Sequence, residues 1–267
     1  ALQIDNDRPK LNVGTITAKD IAFNYQYAGG EITVYQLTGK DLKKYMEWSA
    51  GYFNQLHDGD VTYSFNPQRR ASKYSTNDFF DGVTYKIDLR QPAGQRIRDL
   101  HMADGTPVTD STPIRLGMNS YRMGHLTQKG GALEGMQFPV LSDSKAEYGE
   151  EAGTIRNLTI RYLTEVKKGQ YQGQAVQRWQ LVGLEGYDRE RKIVEKLLND
   201  GKISVPMSDD GRYSNVASFN VKGLLFSDPQ AKKQKQAALQ AALAAANSPA
   251  AKKFVSDQLV ILEAINA

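Results

Sequence analysis

Apolar and polar positions alternate in several short stretches through the first half of the chain. "EITVYQL" (31–37) mixes β-branched and aromatic residues and predicts a strand. Past Gly39 the spacing changes to three and four. Leu42, Tyr45, Met46, Ser49 and Phe53 then share one helical face, with Lys43, Lys44 and Glu47 on the other. This predicts a strand, a turn and an amphipathic helix. "VTYSF" (61–65), "GVTYKIDL" (82–89), "RIRDLHM" (96–102) and "PIRLGMNSY" (113–121) read as further strands, most clearly where Val83, Tyr85, Ile87 and Leu89 alternate. The connecting stretches "RQPAGQ" and "ADGTPVTDST" carry turn chemistry, so a mostly antiparallel sheet is expected in place of a run of βαβ crossovers.

The second half reads as more helical. "GTIRNLTIRYLTEV" places Ile155, Leu158, Thr159, Tyr162 and Val166 on one face, and "AVQRWQLVG" reads as a strand around Trp179. "DRERKIVEKLLNDGK" predicts a helix with Asp188 as N-cap and a stop at Asn199, Asp200 and Gly201. After Phe226 the chain becomes rich in Ala, Lys and Gln, predicting two helices separated near Asn247 to Pro249. The expectation is an α+β fold with a C-terminal helical tail, organised as a main domain over 1–226 and a helical extension over 227–267 packed on or following it.

The 267 residues contain no cysteine, which removes disulfides, thiolate metal sites and thiol nucleophiles together. A formal net charge of +4 gives a mild attraction for anions, so nucleotides or phosphates are more natural partners than a nucleic-acid polymer. No run approaches the length of apolar residues that a membrane span needs. The opening "ALQIDNDRPK" has neither a signal-peptide pattern nor an initiator Met and reads as the start of a processed or excised chain.

Catalytic motifs are sparse. His57, His101 and His125 are the three histidines, and no two stand at a metal-ligand spacing. "HDGD" (57–60) and "SDDGRYSN" (208–215) raise the question of a metal loop but read as turns with solvated acids. There is no GxSxG elbow, Walker A loop or Rossmann fingerprint, and "YAGGE" (27–31) precedes a strand where a phosphate loop should follow one. "MNSYRMGHLTQKGG" (118–131) reads as a phosphate cradle, a base-stacking platform or a plain polar loop. Its glycine spacing and the lack of an obvious helix start argue against the cradle. Tyr27, just before a glycine pair, and Tyr121, at the expected end of a strand, are candidate stacking faces for a planar ligand; core packing is the alternative for each.

Several segments resemble one family. "YQLTGKDLKKYMEWSAGYFN", "FFDGVTYKIDL", "GQRIRDL", "DGTPV" and "MNSYRMG" look like elements of the C-terminal domain of bacterial 5′-nucleotidases, in the same order and at similar spacing. They are most like the 2′,3′-cyclic-nucleotide 2′-phosphodiesterase/3′-nucleotidase branch, which "RWQLVG" (178–183) also resembles. The resemblance covers roughly residues 1–226 and implies a layered α-β-β-α domain with mainly antiparallel or mixed sheets. It implies a substrate-binding role in which two aromatic rings clamp the nucleobase of a nucleotide or nucleoside. Hydrolysis would belong to an N-terminal metallophosphoesterase domain in cis, holding two divalent metal ions.

Carried onto this sequence, the two rings are Tyr27 and Tyr121. Arg8, Gly29, Asn119, Arg122 and Gly124 are further candidate substrate contacts, although Asn119 also reads as a residue that fixes the loop backbone. Two departures stand out: Gly29 or Gly30 occupies the place of a customary Asn, and a Gly pair that usually follows the second ring closely arrives only at Gly130 and Gly131. No catalytic residue, metal ligand or cofactor is assigned to this chain. Alone, it is expected to bind nucleosides weakly and hydrolyse nothing. The family also implies an extracellular, cell-wall-associated or periplasmic location. A rival expectation keeps the scaffold but makes it a surface-displayed module that recognises a protein or a glycan.

Overall fold

The computed structural model describes residues 14–25, 27–71, 77–173 and 176–267. In chain order the elements are α1 (Ala18–Asn24), β1 (Thr33–Thr38), α2 (Gly39–Ala50), α3 (Pro67–Ala71), β2 (Val83–Asp88), β3 (Ile97–Met102), β4 (Pro113–Met118) and α4 (Ser120–Thr127). They continue with β5 (Val140–Asp143), α5 (Ser144–Tyr148), α6 (Ile155–Arg161), a π-helical turn (Tyr162–Val166), β6 (Trp179–Val182), α7 (Asp188–Asn199), a 3-10 turn (Lys222–Leu224), α8 (Pro229–Ala245) and α9 (Pro249–Ile265). This is the expected α+β class, with helices at the C-terminal end. The strands form two three-stranded sheets, one antiparallel and one mixed. The chain divides into two compact units, residues 1–45 with 106–177 and residues 46–105 with 178–267.

In the first unit the sheet order is β4-β1-β5, with both neighbours antiparallel to β1. Thr33, Tyr35 and Leu37 of β1 are buried while Gln36 and Thr38 are exposed, the alternation a half-buried strand requires. The strand passes straight into α2, whose start is fixed by a reciprocal cap. The Asp41 carboxylate accepts the Thr38 N–H at 3.0 Å, and the Thr38 hydroxyl accepts the Asp41 N–H at 3.3 Å. Gly39 is required at this corner, because a Cβ there would stand 2.0 Å from the Thr109 carbonyl oxygen.

The second unit has the order β3-β2-β6, with β3 antiparallel and β6 parallel to β2. Tyr85 pairs with Trp179, whose ring stacks on Phe79 at 4.0 Å between centroids. The other tryptophan, Trp48, lies beneath the Arg69 guanidinium at 3.5 Å. The C-terminal helices supply much of this unit's core. Ile261, Leu262 and Ile265 of α9 pack with Val194 and Leu197 of α7 and with Val61, Phe219, Val221 and Leu224. Helix α8 buries no residue, and its Lys232 reaches Glu263 of α9 at 2.9 Å. The helix break falls where Pro249 suggested, with Ser248 capping α9 through the Ala251 N–H.

Several sequence expectations fail locally: Glu47, placed on the polar face of α2, is buried, and Asp188 is the first residue of α7, with Tyr187 at its N-cap. "VTYSF" forms no strand of its own, because its backbone partners change along its length. Val61 N–H donates to Phe219, Phe65 N–H to Asn215, and the Ser64 carbonyl accepts from Asn54, so no continuous ladder develops. The sequence also gave no sign of β5, which has only four residues. Finally, β4 ends at Met118, and Tyr121 lies in the first turn of α4, not at the end of a strand.

Candidate functional site

Tyr27 and Tyr121 both belong to the first unit. Helix α1 is closed at its start by a capping box between Thr17 and Asp20, and the chain leaves it through the buried Tyr25. A turn over 27–30 follows, closed by the Gly30 N–H donating to the Tyr27 carbonyl at 3.2 Å. The two glycines of that turn differ. A Cβ on Gly30 would meet the Tyr25 hydroxyl at 2.3 Å, whereas Gly29 has nothing within 4 Å. Tyr27 is 64% exposed and meets Tyr25 edge to face, with centroids 5.8 Å apart.

The turn is fastened from the side of α6. Ile155 N–H donates to the Gly30 carbonyl at 2.8 Å, and the Arg156 Nε donates to the Tyr25 carbonyl at 2.7 Å. Glu31 forms an isolated antiparallel bridge with Thr154. Burial pushes the Tyr25 hydroxyl pKa up, and this hydroxyl lies by Asn119 without a hydrogen bond of normal geometry.

Tyr121 is presented by α4. Asn119 is the N-cap, and its side-chain oxygen accepts the Arg122 N–H at 2.7 Å. The Glu31 carboxylate accepts the Ser120 N–H at 2.6 Å. Met123 and Leu126 face inward, which leaves Tyr121 on the outer side at 68% exposure. Its ring meets His125, one turn on, edge to face at 4.3 Å. Burial pushes the Glu31 carboxyl up, but the hydrogen bonds from Ser120 and Thr33 outweigh it, and its pKa lies below the usual value.

The structure therefore brings the Tyr27 turn and the Tyr121 helix to one another through Glu31 and Ser120. Of the other sequence candidates, Asn119 caps α4 and Arg122 supplies the N–H that Asn119 accepts. Gly124 lies within α4 with open space at its Cβ position, and Gly29 is equally open. Arg8 lies outside the described residues. Glu31, Tyr25 and Arg156 escaped the sequence reading. Glu31 follows the glycine pair directly, but its partner is 89 residues away and no local pattern marks it.

A helix does begin within "MNSYRMGHLTQKGG", contrary to the sequence expectation. Two amides of its first turn are already taken by Glu31 and Asn119. Among the described residues, no group of three or more His, Asp and Glu side chains is arranged to hold a metal ion. In "HDGD" the Asp60 carboxylate accepts from the His57 N–H at 2.8 Å and from the Asn220 side-chain amide at 2.9 Å. Asp58 accepts the Tyr187 hydroxyl at 2.9 Å and pairs with Lys222. Asp210 accepts from the Ser208 hydroxyl and the Arg212 N–H. Among the described residues, no helix is long and apolar enough to cross a membrane.

Residues 1–129 match the 5′-nucleotidase, C-terminal domain family. The chain is 30% identical over 192 residues to a 2′,3′-cyclic-nucleotide 2′-phosphodiesterase/3′-nucleotidase of Yersinia enterocolitica, covering 66% of this chain and 27% of that protein. It is 28% identical over 171 residues to the trifunctional nucleotide phosphoesterase protein YfkN of Bacillus subtilis (strain 168), covering 59% of this chain and 11% of that protein. The chain thus spans roughly a tenth to a quarter of the length of these relatives. Among solved structures, a putative 5′-nucleotidase from Staphylococcus aureus aligns with a TM-score of 0.48 at 24% identity, over 62% of this chain and 30% of that one.

Proposed function

We propose that this chain is the nucleobase-binding and specificity part of a metal-dependent nucleotide phosphoesterase, with Tyr27 and Tyr121 as the two rings that hold the base. The observation that carries this reading is the Glu31–Ser120 hydrogen bond, which ties together the two segments whose tyrosines stand exposed. Exposure alone would not select them, since Tyr148, Tyr162 and Tyr171 are also exposed. The family match and the printed activities of the relatives supply the substrate class, a nucleotide or nucleoside.

In this reading, residues 1–226 are the nucleotide-binding part and the helices of 227–267 an extension of it, with α9 completing the core of the second unit. The hydrolytic step, and the two divalent ions it would use, belong to a metallophosphoesterase domain in cis, outside this chain. The chain's own contribution is positional: holding the base keeps the phosphate near a distant reaction centre, which raises the rate by restricting orientation. An extracellular, cell-wall or periplasmic location goes with the proposal.

Replacing Tyr27 or Tyr121 by Ala should weaken adenosine binding by about 1 to 3 kcal/mol, the usual worth of one base–aromatic stack. Phe or Trp at either place should bind nearly as well, since stacking uses the ring more than the hydroxyl. Calorimetry on folded variants decides, and unchanged affinity in both Ala variants would refute the clamp.

A further inference from the structure

Pairing of Thr33 with Met118 brings the start of β1 beside the end of β4. Glu31 carries this connection past the strand end and onto a helix. Its Oε1 accepts the Ser120 N–H at 2.6 Å and the Thr33 hydroxyl at 3.4 Å. Ser120 is the first residue of α4 and the immediate neighbour of Tyr121. A carboxylate at that point also meets the positive end of the helix dipole. On its other side Glu31 adjoins Gly30, whose carbonyl is held by Ile155, while Arg156 holds Tyr25. The Tyr27 turn is thus fixed by contacts that do not involve the Glu31 carboxylate, and the carboxylate refers the start of α4 to that turn.

We propose that Glu31 is a positioning residue for the nucleobase clamp: its carboxylate sets the first turn of α4, and with it the direction of Tyr121, relative to the Tyr27 turn. The inference rests on the clamp reading above. Glu31 itself need not touch the base.

The test uses the full chain and adenosine as the probe. Glu31→Ala should weaken binding about tenfold, a loss of about 1.4 kcal/mol. Glu31→Gln keeps an acceptor oxygen for the Ser120 N–H and should recover affinity to within about threefold of the parent. Ser120→Pro removes the donor from the other side of the bond. Proline suits the first helical position, and Asn119 already has the extended backbone that a following proline prefers. This variant should weaken binding as Glu31→Ala does, and the double variant should lose no more than either alone. Hydrogen exchange at the Met123 amide, which donates to the Asn119 carbonyl in the first turn of α4, should speed up in Glu31→Ala and Ser120→Pro but not in Glu31→Gln.

Several results would overturn the inference. If Tyr27→Ala weakens binding while Glu31→Ala and Ser120→Pro do not, the positioning role is wrong and the clamp stands. Additive losses from Glu31→Ala and Ser120→Pro would show that the two residues act separately. If neither tyrosine matters, the clamp and the positioning role fall together.

Discussion

Glu31 in the first unit and Glu47 in the second do the same chemistry in opposite settings. The Glu47 carboxylate accepts the N–H groups of Arg96 and Ile97 at 2.7 Å each, and the Arg96 guanidinium closes the joint by donating to the Ala50 and Phe53 carbonyls at 2.8 Å. Both side chains are buried. Burial lowers the Arg96 pKa, with the charge of Glu47 opposing that shift. Every partner in that joint is internal, so apolar residues can close over it. Glu31 instead grips one amide at the rim of its unit, beside a tyrosine that stays in solvent. A carboxylate holding backbone amides can therefore seal a core or hold a surface ring in place, and the side chains around it determine which.

The largest test of this contrast compares aromatic truncations. Phe219 is 1% exposed and stacks with Phe254, so Phe219→Ala should cost about 3 to 5 kcal/mol in urea unfolding. Tyr121→Ala should cost about 0.5 kcal/mol or less in the same measurement. Equal losses would break the distinction between core and presented aromatics.

A smaller effect separates the glycines of the Tyr27 turn. Gly30→Ala would drive a methyl group into the Tyr25 hydroxyl and should destabilise by about 1 to 3 kcal/mol, whereas Gly29→Ala meets open space and should change the thermal midpoint little. Equal tolerance at both positions would mean that the turn is not packed on Tyr25.

The smallest effect is on pH. The native Glu31 pKa is lowered, so its contribution to stability is fully present above the ordinary glutamate range and is lost as pH falls through that lowered value. The thermal midpoints of the parent and Glu31→Gln should therefore differ most near neutral pH and converge in acid. A gap that widens in acid would reverse the assignment.

Much of the scaffold was legible because it depends on local pattern. Alternation marked β1 and β2, the three- and four-residue spacing marked α2, and Pro249 marked the break between α8 and α9. Helix α4 was not legible: it has eight residues, only Met123 and Leu126 are buried, and Gly124 in its middle weakens the helical signal. Tyr27 and Tyr121 could be named by resemblance, but the Glu31–Ser120 link between their segments could not. It joins residues 89 positions apart, and only the folded sheet makes them neighbours.

The two tryptophans give the second unit an optical label of its own. Trp179, stacked on Phe79, and Trp48, beneath Arg69, both lie there, and the chain has no other tryptophan. Emission excited selectively at tryptophan therefore follows the unfolding of that unit, whereas calorimetry records the heat taken up by the whole chain. Superimposable curves would mark one cooperative transition, and an offset between them would mark two units that melt separately.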